Sequence, residues 1–229
     1  MRTLLTAEVN AAVTGSFEGG ATEVVVNDSH GSGYNILFEN LDPRCKIIHG
    51  LNCSGPHWLP ELDESFDAMV LIGMHAMAGT ENALVSHSKW EVNEGELYFS
   101  ESTMAAAMAG DFNVPTILVS GDDKIIAEVS EKIPGICSIV VKKGLGAYQA
   151  KSLIPVKACE LFNTNTCSAV KNYKSVAPYK IKGPVSLNLL ESKEHSPPLQ
   201  YMKDKAVIAD TINEAFIEFE KVWTGIPDM

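Results

Sequence analysis

The sequence lacks the marks of a membrane protein, a disulfide scaffold or a nucleic-acid binder. None of its apolar stretches approaches the ~20 residues of a spanning helix, and the opening MRTLLTAEVNAAV lacks the flanks of a signal peptide. Five cysteines, Cys45, Cys53, Cys137, Cys159 and Cys167, are odd in number and scattered, with no CxxC pair. That pattern argues against a disulfide framework or a thiolate zinc site and suits reduced thiols in the cytoplasm, the expected location. Basic residues are scarce too, 18 Lys and Arg against 29 Asp and Glu, for a formal charge of −11. Such a surface opposes nonspecific attraction to nucleic acid or anionic lipid, so neither is an expected partner. Lys142-Lys143 before Gly144-Leu145-Gly146 is the one local basic signal, and a lone GxG there reads as a solvated turn. No G-x-S-x-G elbow, internal repeat or low-complexity tract occurs.

What is present, in 229 residues, is enough for one large domain or two small ones. Thr3 to Val13 carries apolar side chains at helical spacing, and Gly15 with Gly19-Gly20 breaks the pattern. Strand candidates follow at Thr22–Asn27, Lys46–His49, Ala68–Ile72, Thr116–Ser120 and Ser138–Val141, with helical patterns at Ser102–Gly110 and Lys124–Lys132. Alternation of this kind predicts an α/β fold with a mostly parallel sheet flanked by helices. Lys89–Phe99 reads instead as a hairpin turning at Asn93 to Glu96. Past Pro155 the texture changes to a helix near Val156–Val170, a strand at Pro184–Leu190, a break at Ser196-Pro197-Pro198 and a final helix. In that helix Ile208, Ile212, Ala215, Phe219 and Val222 form one apolar stripe. Residues 1–155 are expected to form an α/β core carrying the site, with a smaller α+β part over 156–229 packed on it.

Two apolar runs end in histidine: Val24 to Val26 leads through Asn27-Asp28-Ser29 to His30, and Met69 to Met74 leads to His75. Ligands of open α/β sheets bind at the carboxyl ends of strands, where distant segments converge. A single histidine there is more often a polar residue meeting solvent or a nearby carbonyl. Two at equivalent strand ends, with His87 and Glu101 close behind, point to a metal or catalytic site, because zinc accepts imidazole nitrogen and carboxylate oxygen from separate elements. Glu101 heads the alanine-rich helix, where it either caps the helix or points into that site. His49, His57 and His195 read as structural or solvent-exposed.

The pieces NDSH (27–30), GMHAMAG (73–79), VSHS (85–88), the Glu101 helix start and VSGDD (119–123), in this order and spacing, resemble the M55 metallopeptidases, the D-aminopeptidase family. The resemblance runs from about Leu4 to about Pro155. It implies an α/β fold assembling into homo-oligomeric rings, two zinc ions per subunit, and hydrolysis of the amino-terminal bond of short peptides with a D-residue first. By position, His30, His75 and Glu101 match family zinc ligands. His87 matches the histidine acting as nucleophile or base. Asp28, Asp122 and Asp123 lie in matching motifs, where they cap helices or orient ligating histidines.

The family pattern also includes an N-terminal strand ending in S-x-D-x-E-G, whose Asp and Glu bridge the metals. This sequence opens where the family's first helix is under way and has no such motif. Two zinc ions need a shared anionic bridge and several ligands each. His30, His75 and Glu101 therefore suit one zinc or none. The competing expectations are a truncated, noncatalytic or weakly metal-binding scaffold of the same family, and a metal-free enzyme pairing His87 with Asp122 or Asp123.

Overall fold

The computed structural model describes residues 1–50, 58–191 and 206–224. Cys53, His57, His195 and Ser196-Pro197-Pro198 lie outside them. The chain opens with α1 (Arg2–Glu18), then β1 (Val25–Asn27), β2 (Lys46–Ile48) and β3 (Met69–Met74). A hairpin follows, β4 (Lys89–Val92) and β5 (Leu97–Phe99), then α2 (Glu101–Asp111), β6 (Thr116–Asp122) and α3 (Asp123–Lys132). The remainder is β7 (Cys137–Gly146), β8 (Gln149–Ser152), α4 (Pro155–Lys171), β9 (Val185–Glu191), β10 (Val207–Ala209) and α5 (Ile212–Thr224).

The fold is α/β, its parallel strands falling into two sheets. β3, β6 and β7 run parallel and end in antiparallel β8, while β1 and β2 form a parallel pair of their own. Side chains alternate across β6, which is buried at every residue. Leu118 packs beneath α1 and α4 with Ala12, Ala158 and Phe162, while Ile117 and Val119 pack beneath α2 and α3 with Ala105, Ala106, Ile125 and Val129. At about 1.5–3 kcal/mol per buried aliphatic side chain, this central strand dominates local stability. Beyond α2 lies an antiparallel sheet ordered β10-β9-β4-β5, whose Trp90, Val92, Phe99 and Leu187 meet α2 and α5. Caught between two cores, α2 is buried from Ser102 to Gly110, and its run of alanines is what lets both sheets approach it.

Three local expectations change. Helix α1 runs through Gly15, because a Cβ there would stand 2.3 Å from the Asn163 carbonyl oxygen of α4: the glycine permits close helix packing instead of ending the helix. Lys142 to Gly146 extends β7 and pairs with β8, which supplies partners for the backbone of the presumed turn. Ile208 belongs to β10 and is 72% exposed, so the apolar stripe of α5 begins at Ile212. Among the described residues no helix is long and apolar enough to cross a membrane.

Candidate metal centre

Ser100, not Glu101, caps α2, its hydroxyl accepting from the Thr103 amide at 3.4 Å. Glu101 is thereby left free to face the ends of β3 and β4. Its Oε2 lies 3.4 Å from His75 Nε2 and its Oε1 lies 3.3 Å from His87 Nε2, while the Ser88 hydroxyl donates to Oε1. The two imidazole centroids are 4.2 Å apart. Ligand atoms of His75, His87 and Glu101 all lie within 4.8 Å of one another.

Both rings are held from behind. His75 Nδ1 is 2.9 Å from the Ala76 carbonyl and His87 Nδ1 is 2.8 Å from the Val85 carbonyl. A carbonyl only accepts, so each Nδ1 carries a hydrogen, and each ring in its neutral form presents an Nε2 lone pair to the Glu101 carboxylate. His75 Nε2 is sealed from solvent and, despite its ion-pair distance to Glu101, has no aligned hydrogen bond. Three electron-pair donors facing one another repel unless a cation stands among them. Ligand atoms bound at about 2.1 Å in a tetrahedron are roughly 3.4 Å apart, which matches the His75 Nε2–Glu101 Oε2 separation, while His87 Nε2 stands at a similar distance from the other carboxylate oxygen on the more exposed side. These residues fit a zinc ion.

Electrostatics follow the same geometry. Burial pushes the Glu101 carboxyl up, but the two close imidazoles, when they carry a proton on Nε2, and the Ser88 hydroxyl outweigh it and hold the group well below the usual carboxylate range. His87 moves up, first because a proton taken by its Nε2 is hydrogen-bonded by Glu101, and against partial burial. The two histidines differ in access, since His75 is buried and His87 keeps 29% of its side chain exposed.

His30 is exposed on the loop after β1, its ring edge-on to His87 at 5.8 Å between centroids. The fold thus gathers His75, Glu101 and His87 into one cluster and sets His30 beside it, next to His87. Asp28 folds the His30 loop, accepting from the amides of Asn35 (2.6 Å) and Ile36 (2.8 Å). Asp122 caps α3 through Oδ1, accepting from Lys124 and Ile125, and takes the Leu84 amide at 2.8 Å through Oδ2. Asp123 accepts from the Gly144 amide at 2.8 Å. A Cβ at Gly144 would meet the Asn82 carbonyl at 2.0 Å, so glycine lets β7 press against the segment leading to His87. These aspartates are occupied with backbone amides, and His87 pairs with Glu101 rather than with either Asp122 or Asp123.

Several contributors carry no motif. The Ala76 and Val85 carbonyls are backbone groups, and Val85 adopts φ 48°, a strained conformation for a β-branched residue that turns its carbonyl toward His87. Ser88 sits within VSHS but signals nothing by itself. A cavity of about 370 Å³, lined by Met77, Ala78, Gly79, Thr80, Lys89 and Leu190, adjoins the two segments bearing His75 and Ser88.

The M55 peptidase family model, described as D-aminopeptidase, matches residues 1–206. This chain belongs to the M55 peptidase family. The D-aminopeptidase of Bacillus subtilis (strain 168) is 32% identical to this M55 chain over 183 residues, 77% of it and 65% of the relative, so the match spans just under two thirds of that protein. A solved structure, the zinc-dependent D-aminopeptidase DppA from Bacillus subtilis, described as a self-compartmentalizing protease, matches with a TM-score of 0.86 at 27% identity, covering 98% of this chain and 86% of that one.

Proposed function

We propose that this M55 chain is a zinc-dependent aminopeptidase that removes the first residue of short peptides, with a D-amino acid at that position. The observation carrying the proposal is the convergence of two Nε2 lone pairs on one buried carboxylate, each ring locked by a carbonyl behind it. His75 and Glu101 hold the ion, with His30 completing the set from the exposed side. Zinc, when bound, supplies Lewis acidity toward the scissile carbonyl and toward water. His87 is the working imidazole, because it alone in the cluster combines a raised proton affinity with exposure to an incoming substrate. From a fixed ring, its Nε2 takes the proton of the attacking water or attacks the carbonyl carbon itself. Preference for a D-residue rests on the names of the two relatives. Assembly of copies into a ring rests on the self-compartmentalizing relative and on exposed Leu145, Ile154 and Val156.

The test is zinc titration of the metal-free chain by calorimetry, with hydrolysis of D-Ala-D-Ala and L-Ala-L-Ala followed in parallel. Stoichiometric zinc uptake and faster release of D-alanine, abolished by chelator and restored by zinc, are expected. Hydrolysis that survives chelation overturns the metal assignment. Zinc uptake without hydrolysis of either peptide replaces the enzyme with a noncatalytic scaffold.

A further inference from the structure

Behind His75 lies a carboxylate that no motif marks. The Met77 amide donates to Glu128 Oε2 of α3 at 3.1 Å, and the carbonyl on the other side of the same peptide unit, that of Ala76, accepts from His75 Nδ1 at 2.9 Å. A peptide unit is planar and rigid, so gripping its N–H fixes its C=O as well. The other Glu128 oxygen, Oε1, is sealed from solvent without an aligned hydrogen bond. Close to this carboxyl are the amide and hydroxyl of Ser100, the cap immediately preceding Glu101. One side chain therefore touches the peptide that orients His75 and adjoins the residue that launches Glu101.

We infer that Glu128 is a positioning residue of the metal centre, acting on His75 through the Ala76–Met77 peptide. Burial pushes the Glu128 carboxyl up, yet its Oε2 accepts from the amide in either protonation state, most strongly when ionised, polarising the peptide and making its carbonyl a stronger acceptor. The imidazole hydrogen is drawn toward that carbonyl, and Nε2 becomes a better electron-pair donor. Carboxylates act on ligating histidines in this way by direct contact, and here a peptide unit is interposed. The inference rests on the zinc reading of the cluster for its consequence, though not for its geometry.

Two variants and two readouts test it. Cobalt(II) titration, read by visible absorption, should show Glu128→Ala binding about 10–100-fold more weakly than the parent chain, the range expected for a residue behind a ligand. Glu128→Gln keeps an acceptor but not the charge, and should lose roughly three- to tenfold. The second readout needs no metal: in the apo chain the His75 Nδ1 proton, followed by NMR, should exchange faster with solvent in both variants. Folded variants with parental cobalt affinity and parental exchange overturn the inference. A parent chain that takes up no cobalt removes the zinc reading, and the exchange experiment then decides the positioning role alone.

Discussion

The two strands that lead into histidines approach the centre from unlike surroundings. β3 lies against β6, a strand buried at every residue, and its histidine is buried with a fixed ring. β1 is three residues long and half-buried throughout, pairs with the equally short β2, and leads to an exposed His30 whose ring meets only the edge of His87 among the described ring contacts. Burial supplies the stiffness a ligand needs, while exposure supplies access. The proposed centre therefore has a rigid half, His75 and Glu101, and an open half, His30 and the outer edge of His87.

The contrast breaks most visibly in stability. Leu118→Ala empties a fully buried position between α1 and α4 and should cost about 2–5 kcal/mol in urea unfolding. Val26→Ala on β1 removes a half-buried side chain and should cost less than half as much. Equal losses would mean that the β1–β2 pair is as much part of the cooperative core as β6.

Metal affinity sharpens the same contrast at the site. His75→Ala removes a proposed ligand whose geometry is already set, and should weaken zinc by more than the roughly 100-fold upper range of changes behind a ligand. His30→Ala removes one that must be ordered from solvent, so it should cost about tenfold or less. A His30 effect matching that of His75 would reject the division into rigid and open halves.

How much of this was legible in the sequence divides along similar lines. His75 announced itself by ending an apolar run, and Glu101 by heading an alanine-rich helix, because burial leaves a period in the side chains. His87 has no such local sign and was found through the order of motifs around it. The Ala76 and Val85 carbonyls could not be read at all, since every residue has one and only the fold decides where it points. Glu128 looks like any polar residue of an amphipathic helix until the Met77 amide is placed against it. Gly15 misled for a related reason: a glycine that breaks a helix and one that admits a neighbouring helix are the same letter. The short β8 and the exposed Ile208 show that pairing partners, more than local pattern, decide where strands form.

The smallest expected effect concerns charge. Glu101 is buried among groups that favour its ionised form and is pushed down, whereas burial pushes Glu220 on α5 up to about 7. A carboxyl whose folded value is raised binds its proton more tightly in the native state, so its favourable contribution is complete below the unfolded value near 4.5 and is lost as pH rises toward about 7. Glu220→Gln cannot ionise and avoids that loss. Melting temperatures at pH 4.5 and pH 8 should therefore place the variant near the parent in acid and above it at the higher pH. Because Glu220 is partly exposed, solvent screening keeps the gain small. An equal offset at both pH values would show that burial leaves this carboxyl at its ordinary value, and the contrast between the two carboxylates would then rest on Glu101 alone.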